Sequence, residues 1–253
     1  MLPILMGAAA GAAALAGYAS LAPRSQLFGA TFIGEGPASR RLALTFDDGP
    51  NDPHTLRLLE VLARHQVCAT FFLIGRYVAQ RPEIVQAIAR AGHAFANHTF
   101  THPNLAFCPP TRIRQELEQC QRALRDAAGE PAPLFRPPFG GRRPAVLRVA
   151  RQMDLAPVMW TVTCYDWKPT TAERVARHAA RQVRGGDILL LHDGGHRALG
   201  ADRAHTVEAT ARILTRCRSE GFEFVTVPEM MGSSPPKASI SRVAGSPQPP
   251  GGV

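Results

Sequence analysis

Cysteine is scarce in this chain. Five residues in 253, an odd number with no paired spacing, exclude a disulfide framework and a zinc ribbon. Cys68, Cys120 and Cys217 are expected to pack in the core, and Cys164 falls near a cluster of polar residues. Lysine is scarcer still, since all but two of the 29 basic residues are arginine. The resulting net charge of +9 could suit a nucleic-acid or lipid surface. However, the arginines are spread along helical stretches, as at Arg174, Arg177, Arg181 and Arg184, with no interleaved aromatics and no binding motif. A solvated helix face explains them, and nucleic acid is not an expected partner. No internal repeat is present.

Charge is also missing from Met1 to Pro23, where Ala, Leu and Gly dominate. That run is long enough to cross a bilayer, so residues 1–24 read as a hydrophobic N-terminal anchor or signal segment. No basic residue precedes the run, while Arg24, Arg40 and Arg41 follow it, and the positive-inside rule then favours a cytoplasmic body. Residues 25–39 read as a linker and residues 40–231 as a single domain, large enough to bury its own core. Residues 232–253, rich in proline, glycine and serine without apolar periodicity, read as a disordered tail. The chain is expected to act as a monomer.

Within the body the most informative segment is Thr45-Phe46-Asp47-Asp48-Gly49-Pro50, an acidic pair where the apolar run Leu42-Ala43-Leu44 breaks into a turn. His98 and His102 follow about fifty residues later. One carboxylate and two imidazoles make a three-ligand metal site with an open position, leaving the other carboxylate free to act as a base. Taken singly, the pieces have plainer explanations: adjacent aspartates are common at turns, and Pro103 stops a helix that would put both histidines on one face. Three more segments repeat the theme of polar residues after an apolar run: Leu134-Phe135-Arg136-Pro137-Pro138-Phe139-Gly140; Val158 to Val162 followed by Thr163-Cys164-Tyr165-Asp166-Trp167; and Ile188 to Leu191 followed by His192-Asp193-Gly194.

Helical spacing fills the intervals, over Pro53–His65, Pro82–Ala91, Thr111–Ala128, from Pro144, Thr171–Arg184 and Ala204–Glu220. Strands are predicted at Arg41–Phe46, Ala69–Ile74, Ala94–His98, Leu134–Arg136, Pro157–Val162, Ile188–His192 and Glu223–Val227. Seven strands alternating with helices imply an α/β fold with a parallel sheet. Every polar motif lies at a strand's C-terminal end, which points to a barrel with the site at its top.

In order and spacing, Asp47-Asp48-Gly49, His98-Thr99-Phe100-Thr101-His102, Arg136-Pro137-Pro138-Phe139, Asp166-Trp167 and Leu190-Leu191-His192 resemble the five motifs of the polysaccharide deacetylase family, the NodB-homology carbohydrate esterases. The resemblance spans roughly residues 40–230 and implies a distorted, incomplete (β/α)7 barrel. It also implies that Asp48, His98 and His102 hold a divalent metal, with zinc the default and cobalt, nickel or manganese able to serve. Asp47 would be the general base and His192 the general acid. Arg136 and Asp166 resemble the partners that set those two protonation states. Pro138, Phe139, Trp167 and Leu190 would meet the substrate, Phe139 through a backbone amide that stabilises the oxyanion, and Trp167 and Leu190 as a pocket for the acetyl methyl.

Two departures stand out. Thr163 occupies a position where family members often carry a second aspartate, and Phe139 one where tyrosine is frequent. The implied activity is removal of N-acetyl groups from amino sugars of peptidoglycan or a chitin-like oligomer in the cell envelope, by an anchored or exported protein. The alternatives are hydrolysis of another amide, such as a formyl group on a lipid-linked sugar, and carbohydrate binding without chemistry. The latter would not need both a base and an acid.

Overall fold

The computed structural model describes residues 14–232. Residues 1–13 of the expected anchor or signal and residues 233–253 of the expected tail lie outside that range. Among the described residues no helix is long and apolar enough to cross a membrane.

The strands are β1 (Arg41–Gly49), β2 (Thr70–Leu73), β3 (Ala94–Asn97), β4 (Leu134–Phe135), β5 (Ala156–Pro157), β6 (Val162–Thr163), β7 (Ile188–His192) and β8 (Glu223–Phe224). They form one parallel sheet in the order β5-β4-β3-β2-β1-β7-β6, with β8 added to the start of β1. A helix over residues 14–21 (α1) comes first. Then follow α2 (His54–Arg64), α3 (Gly75–Gln80), α4 (Pro82–Arg90), α5 (Pro110–Ala128), α6 (Pro144–Gln152), α7 (Ala172–Gln182), α8 (Ala204–Ser219) and α9 (Val227–Met230). This is the incomplete α/β barrel expected from the sequence.

The helix α3 has no counterpart among the predicted helices, and three strand boundaries differ from expectation by more than two residues. The run Pro157–Val162 is two short strands, β5 and β6, on opposite edges of the sheet. Residues 158–161 cross the open side between those edges, and a continuous apolar run cannot reveal such a crossing. β1 runs on through the acidic pair to Gly49 instead of stopping at Phe46. The last predicted strand is cut short, because Thr226 starts α9 with a reciprocal cap to Glu229.

Alternation along the strands sorts the core into two layers. Leu42, Leu44 and Phe46 of β1, with Leu189 and Leu191 of β7, pack in the large cluster that also takes in Leu58, Val61 and Leu62 of α2 and Ile213 and Leu214 of α8. Ala43 of β1 and Ile188 and Leu190 of β7 point into the barrel with Phe72, Ala96, Val158, Met159 and Trp160. By the same period Asp47 and His192 also face inward. Residues 25–39, read as a linker, are fastened to the body: Phe32 bridges Val158, and Gly34 bridges Asp187.

Candidate active site

Asp47 and His192 are register partners at the C-terminal ends of adjacent strands β1 and β7. Successive strand residues normally point to opposite faces, which would send Asp48 away from Asp47. Instead the pairing of β1 with β2 shifts register between Asp47 and Gly49, and Asp48 adopts the left-handed region at φ 73°. Such a bulge redirects a side chain, and both carboxylates line one cavity of about 780 Å³.

His98 follows β3 directly, and His102 ends the short loop after it. Thr99 (φ 66°) and His102 (φ 63°) hold left-handed backbone that non-glycine residues keep only where their surroundings impose it. Buried Glu116 of α5 imposes it here, accepting from the amides of Phe100 (2.9 Å) and Thr101 (2.7 Å) and from the Thr101 hydroxyl (2.6 Å). Asn97 contributes by accepting from the Thr99 amide at 2.9 Å.

Asp48, His98 and His102 offer ligand atoms that all lie within 4.8 Å of one another. Asp48 Oδ1 is 3.1 Å from His102 Nε2 and 3.6 Å from His98 Nε2, yet this buried oxygen takes a well-formed hydrogen bond from neither. His98 Nδ1 donates to the Arg136 carbonyl at 2.8 Å, which leaves Nε2 bare, and burial pushes its pKa down to about 4. A neutral imidazole with one nitrogen tied to a carbonyl is the form that binds metal. Burial opposes ionisation of Asp48, but His102 and His196 hold its carboxyl well below the usual range. The donor set therefore fits a divalent cation.

Arg136 is fully buried beneath Asp47. Its Nη1 donates to Asp47 Oδ1 at 2.7 Å and to the Thr45 hydroxyl at 2.8 Å, and its Nη2 donates to the Met159 carbonyl at 3.1 Å. The guanidinium lies 3.9 Å over the Phe72 ring. Asp47 Oδ2 thus remains on the cavity side, 3.7 Å from His98 Nε2.

Across the cavity, His192 Nδ1 bonds Asp166 Oδ1 at 2.9 Å, and its amide donates to Oδ2 at 2.7 Å. Burial works against the imidazolium, but Asp166, helped by Asp48 and Asp47, pushes the His192 pKa up to about 9. Burial likewise opposes ionisation of Asp166, and His192 with the Thr206 hydroxyl overrides it and keeps that carboxyl below its ordinary value.

Leu190 and Trp167 line the cavity, Trp167 with its ring 5.1 Å from that of His192. Phe139, in left-handed backbone at φ 57°, sets its ring edge-on to His102 at 4.7 Å. Arg136, Asp166 and Pro138 do not line the cavity. The first two lie behind Asp47 and His192, and Pro138 is buried beneath the Phe139 turn.

Sequence reasoning missed several neighbours. His196 stacks on His102 with centroids 4.8 Å apart and reaches within 3.8 Å of Asp48 Oδ2; a histidine just after a Gly-Gly pair at a strand end was its only signal. Asp193, the residue after His192, is a buried carboxyl that accepts from the Thr55 hydroxyl at 2.5 Å. Burial pushes its pKa up to about 7. Thr163 accepts from the Trp160 indole at 2.8 Å, so the residue that replaces the frequent aspartate orients a cavity wall.

Residues 34–158 match the family model described as polysaccharide deacetylase. A chitooligosaccharide deacetylase of Bradyrhizobium sp. (strain ANU 289) is 37% identical over 204 residues, covering 78% of this chain and 93% of that protein. A peptidoglycan-N-acetylglucosamine deacetylase of Bacillus cereus is 34% identical over 192 residues, covering 75% and 87%. A crystal structure of a peptidoglycan N-acetylglucosamine deacetylase bound to 4-naphthalen-1-yl-N-oxidanyl-benzamide superposes with a TM-score of 0.76 at 32% identity, covering 81% of this chain and 94% of that one. The five motifs, the curled parallel sheet that gathers them and these relatives agree: the chain belongs to the polysaccharide deacetylase family, the family 4 carbohydrate esterases, which are hydrolases.

Proposed function

We propose that this protein removes N-acetyl groups from the amino sugars of a polysaccharide, peptidoglycan or a chitin-like oligomer, acting as a monomer at the cell envelope. The observation that carries the proposal is the pairing of Asp47 with His192 on adjacent strands, with Asp48, His98 and His102 clustered in the same cavity.

Asp48, His98 and His102 would hold a divalent metal, zinc by default for two imidazoles and one carboxylate, with cobalt, nickel or manganese as substitutes. When bound, the metal supplies Lewis acidity toward the amide carbonyl and a lowered pKa for a water. Asp47 takes the attacking water's proton through Oδ2, since Oδ1 is committed to Arg136. His192 delivers a proton to the departing amine through Nε2, since Nδ1 is committed to Asp166. An amine leaves poorly unless protonated, so the acid is as necessary as the base. The Phe139 amide would donate to the oxyanion, while Trp167 and Leu190 would receive the acetyl methyl.

The test is acetate release from chitin oligomers and from peptidoglycan by the full-length protein with added zinc, beside Asp47→Asn and His98→Ala. Release by the wild type that collapses in both variants is expected. No release from either polymer by a zinc-loaded wild type would contradict the proposal.

A further inference from the structure

Arg142 is fully buried, yet among the described residues it pairs with no carboxylate. Every bond of its guanidinium goes to a backbone carbonyl. Nη1 donates to Gly140 at 3.1 Å and to Ser20 at 3.5 Å, and Nη2 donates to Ala22 at 2.6 Å and to Ser25 at 2.8 Å. The Arg142 amide also donates to the Ser20 carbonyl, at 3.1 Å. Three of those four carbonyls belong to the end of α1 and the turn after it, where a helix end favours a cation. The fourth belongs to the turn that carries Phe139.

The same segment touches the site wall elsewhere. A Cβ added to Gly140 would lie 3.5 Å from the Leu21 carbonyl and 3.2 Å from both Met159 and Trp160. Arg24 donates to the Thr161 carbonyl at 3.3 Å, and the Met159 amide donates to the Phe32 carbonyl at 2.8 Å. The chain from Ser20 to Phe32 therefore runs along residues 157–161, which close the open side of the barrel and bring Trp160 into the cavity lining.

We propose that Arg142 is a positioning residue that latches the N-terminal segment, residues 19–25, onto the Pro138–Gly140 turn. The segment is then a working part of the cavity wall and not a detachable anchor, signal or linker. It holds from behind the left-handed backbone that presents the Phe139 amide. The kinetic half of the proposal rests on the assignment of that amide to the oxyanion. Releasing the latch weakens an interaction made in the transition state, which lowers kcat more than it raises KM. Zinc binding is untouched, because Asp48, His98 and His102 sit on β1 and on the loop after β3.

The experiment uses the full-length protein as wild type, Arg142→Gln, Arg142→Lys and Ala19→Glu. Ala19 is buried in the segment, so a carboxylate there drives the segment off without altering the turn. Amide hydrogen exchange is followed at Gly140 and Gly141, whose N–H groups bond the carbonyls of Pro137 (3.0 Å) and Pro138 (2.9 Å), with zinc content and acetate release from chitin oligomers measured in parallel. Arg142→Gln and Ala19→Glu are expected to accelerate exchange at both glycines and to lower kcat about tenfold, with KM within about threefold and zinc retained. Arg142→Lys, a point charge without the guanidinium fork, recovers only part of the loss. Unchanged exchange at Gly140 and Gly141 in a folded variant overturns the latch, as does accelerated exchange with unchanged kcat. If Arg142→Gln fails to fold, Ala19→Glu decides. A wild type that releases no acetate defeats the functional proposal, whereas the exchange data still decide the latch.

Discussion

Asp48 and Asp166 are both buried aspartates beside the same cavity, and their surroundings could hardly differ more. Both oxygens of Asp166 are spoken for, by His192 Nδ1, by the His192 amide and by the Thr206 hydroxyl. His205 also engages its carbonyl, at 2.6 Å. Asp48 faces three imidazoles, His102, His98 and His196, within 3.1–3.8 Å, and its Oδ1 closes a proper hydrogen bond with none of them. A carboxylate whose bonds are all made fixes the proton of its neighbour. A carboxylate oxygen left open among ring nitrogens suits a cation, because a buried polar atom without a partner is costly. On the proposed reading, one side of the cavity handles a proton and the other would hold a metal.

The comparison breaks most severely at the metal side. Asp48→Ala or His98→Ala should strip zinc from the dialysed protein and lower turnover by well over about a hundredfold, more than loss of an outer partner costs a metal site; metal analysis and acetate release check this together. Next in size, His192→Ala should lower kcat by about 10²–10⁴ and leave zinc content intact, which separates the two halves by experiment.

The proton side can also be read by pH. With His192 protonated up to about pH 9, activity should fall as pH rises through that region. A cation at Asp48 offsets part of the aspartates' contribution, so the limb of the holoenzyme lies at or below about 9. Asp166→Asn should draw the limb down toward the ordinary histidine value of about 6.5. Linkage gives a matching stability signature. Protonation of Asp166 removes the pair's contribution at acid pH. Above the ordinary carboxylate range and below about pH 6.5 it is full, and because the folded pKa of His192 lies above the unfolded one it fades as pH rises from there through the folded value of about 9. Urea unfolding of wild type and Asp166→Asn at the two ends of that window should show the slope in the wild type and a flatter profile in the variant. The smallest effect is expected from Thr206→Val, which removes one donor to Asp166 and should cost about 1 kcal/mol with zinc unaffected.

Much of this architecture was legible because the motifs sit where β-strands end. Alternation along β1 and β7 alone places Asp47 and His192 on the inward face, and their cross-strand pairing needs only the correct strand order. Positions fixed by the rest of the fold were not legible. Asp48 joins its neighbour in the cavity through a bulge that no local pattern announces. Glu116 reads as one more charge on a polar helix until its four-residue spacing from Cys120 brings it beneath the 99–102 loop. His196 and Arg142 act through partners in other segments, Asp48 in one case and the end of α1 in the other. The split of Pro157–Val162 into two edge strands depends on closure of the sheet, which no short window contains.

The division of labour is tested most directly by calorimetric zinc titration of the wild type, Asp48→Ala and Asp166→Ala. Wild type and Asp166→Ala should each bind one zinc with similar affinity, while Asp48→Ala should lose the tight site. Equal binding by Asp48→Ala, or loss of zinc from a folded Asp166→Ala, would contradict the assignment of metal to one side of the cavity and proton to the other.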